Sequence, residues 1–116
     1  GCAGPWLSMP NISKLNAAVT LINTFTVKPE HQAELVRLLD EATERVMRHF
    51  DGFVSASLHS SLDGTRVVNY AQWTDEAAFR AMLQDERAQA HMAAAAKLAE
   101  RFEPALYNVS AIHERV

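Results

Sequence analysis

Cysteine is nearly absent from this chain of 116 residues, because Cys2 is the single one. One cysteine cannot form an intramolecular disulfide, and it cannot build a zinc site that needs several thiolates. We therefore expect the protein to work in a reducing cytoplasm. The sequence also lacks any apolar run near the roughly 18–20 residues of a transmembrane helix, so no membrane partner is predicted.

Positive charge is scarce as well. The chain has 11 Lys and Arg against 14 Asp and Glu, which gives a formal net charge of −3. This balance argues against a nucleic-acid partner, which normally requires a basic surface. The four glycines fall near the start of the chain or in predicted turns, so no glycine-rich phosphate loop is present. The five histidines include no pair four residues apart, and we expect no bound metal.

What the sequence does contain is the material for one globular domain, since 48% of its residues are hydrophobic and 22% are charged. Residues 1–16 mix glycine, proline, serine and isolated apolar residues without periodicity, and we predict a flexible N-terminal arm there. Met9 is our expected natural start, with residues 1–8 added in front of it. Residues 17–116 are predicted to form a single domain.

The first half of this domain alternates between strand and helix patterns. Residues 19–27 alternate apolar and polar side chains with many β-branched residues, as in a β-strand. Pro29 suits the first turn of a helix whose apolar stripe continues to Phe50. We expect Gly52 to end this helix in a left-handed conformation. Residues 53–62 and 66–73 then read as a hairpin around Asp63-Gly64.

The second half begins with another helix, for which Thr74 supplies the expected hydroxyl cap. We expect the helix to restart near Asp85 after a short break. A second apolar stripe then continues along it to Phe102. Pro104 is predicted to stop this helix before a last strand over residues 105–113. The resulting order β-α-β-β-α-β predicts an α+β, ferredoxin-like fold with a split β-α-β antiparallel sheet. Its helices would cover one sheet face, and we expect a second subunit to cover the other.

Three neutral polar side chains interrupt the apolar faces of these strands. Because successive side chains of a strand point to opposite faces, Asn69 and Trp73 share a face with Val67 and Ala71. On the first strand, Asn23 lies on one face between Leu21 and Phe25. Amide and indole N–H groups in an apolar pocket can hold an oxyanion or a phenolate. The alternative is that each group is satisfied locally within an ordinary core.

Two histidines have positions that the sequence leaves open. His91 lies on the apolar stripe of the last helix, where it could be a base, a haem ligand or a packed core residue. The position of His59 depends on the hairpin register. A two-residue turn places it opposite Val68, whereas a type I turn with Gly64 in a bulge places it on the face of Asn69.

The stretch from His59 to Trp73, HSSLDGTRVVNYAQW, resembles the antibiotic biosynthesis monooxygenase family. The similarity extends upstream to Gly52-Phe53 and downstream through the segment 76–80. This resemblance implies a dimeric α+β barrel formed by two ferredoxin-like subunits. It also implies a cofactor-independent monooxygenase that oxidises an electron-rich polycyclic aromatic, such as an anthrone-like polyketide, to a quinone with O₂.

The resemblance further implies roles for particular residues. Asn69 and Trp73 match the family's polar pair beside the substrate, and His59 matches a family histidine. Together with His91 they are the predicted catalytic residues. The remaining predicted residues would contact a small aromatic substrate: Asn23, Val67, Ala71, Phe79, Met82, Ala95, Leu98 and Phe102.

The chain also departs from the family pattern. A tyrosine that some relatives carry six residues after the tryptophan is Phe79 here, and a later arginine has no clear counterpart. A haem-degrading branch uses an asparagine, a tryptophan and an axial histidine. Asn23 and His91 match two of these, but the tryptophan position falls at Ala81 or Met82. Haem degradation, or a non-catalytic or isomerase barrel, is the alternative function.

Overall fold

A computed structural model describes residues 18–116, so the predicted arm of residues 1–16 lies outside the described part. The described part contains four strands and three α-helices. In chain order these are β1 (Val19–Thr26), α1 (Gln32–Arg45), β2 (Phe53–Ser60), β3 (Arg66–Trp73), α2 (Glu76–Leu83), α3 (Glu86–Leu98) and β4 (Arg101–Tyr107). No helix within this range is long and apolar enough to cross a membrane.

The four strands form one antiparallel sheet in the order β2-β3-β1-β4. β1 and β2 are separated by β3, which is the split β-α-β arrangement that the sequence predicts. The ferredoxin-like prediction is therefore confirmed. All three helices lie on one face of the sheet, where Leu35, Ala42 and Ala95 are buried against it. We call this the inner face.

Helix α1 ends earlier than predicted, and it ends without a left-handed glycine. A short 3-10 turn, Met47–His49, follows it before the chain enters β2. Gly52 does not have positive φ, so its predicted role was wrong. A Cβ on Gly52 would overlap the Cβ of Ala78, so this position needs glycine for close approach to α2.

The last strand also differs from the prediction. Helix α3 ends at Leu98, and Pro104 lies inside β4, where it pairs with Asn23 rather than stopping a helix. β4 is an edge strand, and an edge is where a sheet accommodates a residue without an N–H. Phe102 consequently belongs to β4 and not to the helical stripe. The regular strand ends at Tyr107, before the predicted residue 113.

Two aspartates cap the N-termini of α2 and α3. The Asp75 carboxylate accepts a hydrogen bond from the Ala78 N–H and caps α2, so the cap is Asp75 and not Thr74. Asp85 accepts from the N–H groups of Arg87 and Ala88 and caps α3, which confirms the predicted restart. Both caps place a negative charge at the positive end of a helix dipole.

The core consists of two clusters rather than one. The first is built around Trp73, and it contains Leu21, Val46, Ala71, Trp73, Phe79, Met82 and Ala88. The second contains Phe25, Val27, Leu35, Val67 and Ala95. Along β1 and β3, the positions between the two clusters are Asn23 and Asn69, which are direct cross-strand partners. An apolar core is therefore interrupted at its centre by two amides.

Candidate active site

A cavity of about 430 Å³ lies between the helices and the inner face of the sheet. Its walls come from all four strands on one side and from α1, α2 and α3 on the other. This volume falls in the range of pockets that hold drug-sized organic ligands. The wall is mostly apolar, so a ligand of matching character would be held chiefly by burial of its rings.

Asn23 and Asn69 form the polar centre of the sheet side of this cavity. The register places them directly opposite each other on β1 and β3. Cross-strand neighbours of this kind have Cβ atoms about 4.5–5.5 Å apart, so the two amides can reach the same ligand atom. The Oδ1 atom of each amide is buried and has no hydrogen-bond partner among residues 18–116. Buried acceptors usually find a partner, so two neighbouring exceptions make this pair a candidate for contact with a ligand.

Trp73 supplies a third unpartnered group to the same cavity. Its side chain is only 2% exposed, and its Nε1–H has no hydrogen-bond acceptor in the described chain. Phe53 meets the indole edge-on at a ring-centroid distance of 5.5 Å, and Phe50 and Phe79 lie at 6.1 and 6.2 Å. These three aromatic rings hold the indole in place, so the orientation of its N–H is set before any ligand binds.

The spacing of these polar groups indicates the shape of a ligand. Asn69 and Trp73 are four residues apart on one strand, which corresponds to about 13 Å between their Cα atoms. Ala71 lies between them and contributes a small, uncharged side chain to the cavity lining. A rigid ligand of several fused rings is long enough to reach from Asn69 toward Trp73.

Nine of the predicted site residues line the cavity: Asn23, Asn69, Ala71, Trp73, Phe79, Met82, His91, Ala95 and Phe102. Phe102 does so from β4, although the sequence placed it on a helix. Val67 and Leu98 do not line it. Val67 is fully buried in the second core cluster, and Leu98 packs against that cluster, so the predicted contact of these two residues with substrate is not supported.

His91 reaches the cavity from α3. Its ring is partly buried, and none of the hydrogen bonds in the described chain involves it. The ring nitrogens are therefore open to a hydrogen bond with a ligand in the cavity. Within residues 18–116 there is no group of three or more His, Cys, Asp or Glu side chains that could hold a metal ion.

His59 lies on the opposite face of the sheet. The hairpin has a turn with Leu62 and Asp63 at its centre and Gly64 at φ +81°, yet Ser61 N–H donates to Arg66 O over 3.0 Å. This four-residue connection restores the register in which His59 pairs with Val68. The bulged alternative, which would bring His59 to Asn69, is therefore wrong. His59 instead contacts Ser57, with Oγ and Nε2 2.9 Å apart.

Asp63 fixes this turn. The hydroxyl and the backbone N–H of Thr65 donate to its Oδ1 over 2.7 and 3.0 Å, and the Ser61 hydroxyl donates over 2.8 Å. These hydrogen bonds, that from the Thr65 hydroxyl first, favour the ionised carboxylate and lower the pKa of Asp63 to about 2. The turn that excludes His59 from the cavity is thus specified by three neighbouring side chains.

Several cavity residues escaped the sequence-based prediction. Helix α1 contributes Leu39 and Thr43, and α2 contributes Arg80. Edge strand β4 contributes Pro104 and Leu106, because it begins before Pro104 and turns alternate side chains toward the helices. The register of β4 against β1 was not available from sequence periodicity, because Phe102 and Leu106 also fit a helical pattern.

The family of the chain follows from comparison with known proteins. The family model for antibiotic biosynthesis monooxygenases matches residues 18–94, which include β1 to β3 and the cavity residues on them. The tetracenomycin-F1 monooxygenase of Streptomyces glaucescens is 53% identical over 83 residues, which cover 72% of this chain and 74% of that one.

Solved structures give the same result. A monooxygenase from the gene ActVA-Orf6 of Streptomyces coelicolor, solved in complex with nanaomycin D, has a TM-score of 0.75 and 29% identity, covering 87% of this chain and 95% of that chain. SnoaB from Streptomyces nogalater, described as a cofactor-independent oxygenase, has a TM-score of 0.72 and 29% identity, covering 83% of this chain and 96% of that chain.

The chain shares its ferredoxin-like fold with these oxygenases. The chain belongs to the antibiotic biosynthesis monooxygenase family. The prediction that it is a monooxygenase is confirmed by these relatives, and the prediction of catalysis without a cofactor agrees with SnoaB.

Proposed function

We propose that this protein oxidises an electron-rich polycyclic aromatic of the anthrone type to a quinone, with O₂ as the only co-substrate. The observation that carries the proposal is a set of three buried polar atoms without a hydrogen-bond partner among residues 18–116, all on residues that line one apolar cavity: Asn23 Oδ1, Asn69 Oδ1 and Trp73 Nε1. Such groups suit the hydroxyl, carbonyl and oxyanion substituents of a phenolic ring system. The named substrate of the tetracenomycin-F1 monooxygenase supports the same class.

The proposed chemistry begins with removal of a proton from the ring carbon that will be oxidised. The resulting carbanion, delocalised onto a phenolic oxygen, transfers one electron to O₂. The substrate radical and superoxide then combine through a new C–O bond, and the peroxide takes up a proton. Loss of the second hydrogen from that carbon, with cleavage of the O–O bond, releases water and leaves a carbonyl. Both oxygen atoms of O₂ and all four electrons are accounted for by one CH₂ group becoming C=O.

Four polar residues of the cavity and its apolar walls have a part in this scheme. The Trp73 N–H donates to the oxygen on which negative charge develops, and the two amides hold the neighbouring hydroxyl and carbonyl groups. His91 accepts the first proton and returns it to the peroxide, because it is an imidazole among the residues that line the cavity. The apolar walls keep water away from the carbanion.

The proposal includes a homodimer acting in the cytoplasm. In the sheet, the face away from the helices carries Ile22 opposite Tyr70 and Thr24 opposite Val68. Apolar and β-branched side chains on a sheet face are expected to pack against another layer. A second copy of the chain, placed face to face, would supply that layer and close the barrel.

Oxygen consumption by the metal-free and flavin-free protein with dithranol, a simple anthrone, tests the proposal. We expect uptake of one O₂ per molecule of quinone formed, at a rate well above the same solution without protein. Heat-denatured protein is the control for spontaneous oxidation. A rate equal to that control with dithranol and with a second anthrone would refute the proposed reaction, and haemin titration would then test for the haem-degrading alternative.

A further inference from the structure

We propose that Arg80 is a specificity-determining residue that binds a carboxylate substituent of the aromatic substrate. This inference rests on the proposed function, since it concerns the substrate of the same cavity. Arg80 lies on α2 immediately after Phe79, and it is one of the residues that line the cavity. The reaction scheme above gives it no role.

The charge of the cavity makes Arg80 distinctive. Among the residues of the described chain that line the cavity, no Asp, Glu or Lys is present, and Arg80 is the single one with a permanent charge. An anionic group on a ligand therefore meets one fixed cation and no opposing carboxylate within the lining. An uncharged ligand gains nothing from this arrangement, so Arg80 favours acids over neutral analogues.

The position of the guanidinium suits binding at the cavity opening. The Arg80 side chain is 66% exposed although it lines the cavity, so it lies where the cavity meets solvent. An acidic substituent can be held there without losing its hydration entirely. The oxidised ring would remain in the apolar interior, near Asn69 and Trp73, where charge would be costly.

Glu76 orients the guanidinium without occupying its binding edge. The carboxylate Oε2 of Glu76 accepts from Nε of Arg80 over 2.7 Å, one helical turn earlier on α2. The two terminal nitrogens, Nη1 and Nη2, have no hydrogen-bond partner in the described part of the chain. Together these nitrogens form the planar edge that binds a carboxylate through two parallel hydrogen bonds.

Two stable quinones that differ in one substituent test this inference without requiring turnover. Rhein carries a carboxylate where chrysophanol carries a methyl group. We expect the wild-type protein to bind rhein about tenfold more tightly than chrysophanol, measured by calorimetry at low ionic strength. Arg80→Gln should abolish this ratio by weakening the binding of rhein alone, and Arg80→Lys should retain part of it.

Arg48→Gln is the matched control. Arg48 forms an equivalent exposed pair with Glu44, four residues earlier on α1 and 2.8 Å away, but it does not line the cavity. The Arg48→Gln variant should leave the preference for rhein over chrysophanol unchanged. A wild-type ratio near one, equal weakening of both quinones by Arg80→Gln, or binding of neither quinone would each overturn the inference.

Oxygen uptake with the corresponding two anthrones separates this inference from the proposed reaction. If the rhein preference is present and depends on Arg80 but neither anthrone is oxidised, the carboxylate site stands and the proposed reaction fails. If both anthrones are oxidised with the same kcat/KM in wild type and in Arg80→Gln, and the binding ratio is near one, the reaction stands and the carboxylate site fails.

Discussion

Asn69 occupies a position where an apolar side chain would serve the fold better. It lies with Asn23 between two apolar clusters, and its buried Oδ1 has no hydrogen-bond partner within the part of the chain that the structure describes. A buried acceptor without a hydrogen bond costs about 1–3 kcal/mol of stability. A ligand that supplies the missing partner removes this cost, which gives binding energy to substrates with a matching hydroxyl group.

Replacement of Asn69 by leucine should therefore separate stability from activity. We expect Asn69→Leu to leave the melting temperature unchanged or to raise it, because an unsatisfied polar group is replaced by an apolar one of similar size. Activity toward dithranol should fall by at least tenfold. A thermal melt and an oxygen-uptake assay measure the two effects. A clear loss of stability would indicate that Asn69 is satisfied within the protein and contributes to the core.

Trp73→Phe tests the indole N–H. Phenylalanine retains an aromatic ring beside Phe50, Phe53 and Phe79 but has no donor. We expect kcat to fall by about 10²–10³, the usual effect of losing one donor to a developing oxyanion. Any subunit assembly, followed by sedimentation, should be unchanged.

Phe50→Leu is the control for lost packing. Phe50 contacts the Trp73 ring at 6.1 Å but does not line the cavity. The Phe50→Leu variant should have a lower melting temperature and a nearly unchanged kcat. Equal losses of kcat in Trp73→Phe and Phe50→Leu would contradict a role for the indole N–H.

At the scale of elements, the β2–β3 hairpin determines which histidines can act. Its four-residue turn sets the register by which His59 lies outside the cavity and Asn69 lies within it. Gln32 at the start of α1 supports the same turn, because its Nε2 donates to Ser61 O over 3.0 Å and to Arg66 O over 2.9 Å. A shift of one residue would exchange the two faces of β2.

The ionisation of Asp63 should report on this turn. Its pKa is lowered to about 2 from 3.8 by hydrogen bonds to the carboxylate, so the ionised form stabilises the folded state. This contribution is complete above pH 3.8 and is lost as the pH falls toward 2. We expect the side-chain carboxyl ¹³C shift of Asp63 to titrate near pH 2.

Thr65→Val provides the matched comparison, because it removes the hydroxyl that makes the largest contribution and keeps the branched shape. The pKa of Asp63 should rise in this variant toward 3.8. A pKa of Asp63 near 3.8 in the wild-type protein would show that the turn is not held in this way.

At the scale of the whole molecule, the proposed dimer covers the sheet face that carries Tyr70. Ile22 and Tyr70 are cross-strand partners at the centre of that face. We expect Tyr70→Glu to convert the proposed dimer into a monomer, measured by sedimentation equilibrium, because a buried carboxylate without a partner opposes association. Ala90→Glu, on the exposed side of α3, should leave the mass unchanged. A monomeric wild-type protein would refute the proposed dimer.

The sequence by itself determined the order of the elements, because strands and helices impose different periods on their apolar residues. A polar side chain on an apolar face is visible without coordinates. The sequence therefore also identified four candidates for the cavity: Asn23, Asn69, Trp73 and His91. The resemblance in residues 59–73 led to the correct family.

Tertiary structure alone decided three other features, because each depends on contacts with residues elsewhere in the chain. The register of His59 depends on a turn in which Ser61, Asp63 and Thr65 cooperate. The place of Pro104 in an edge strand depends on the pairing of β4 with β1. The contribution of Arg80 to the cavity required α2, β4 and the sheet to be assembled, since its own helical position predicts only a solvent-exposed ion pair with Glu76.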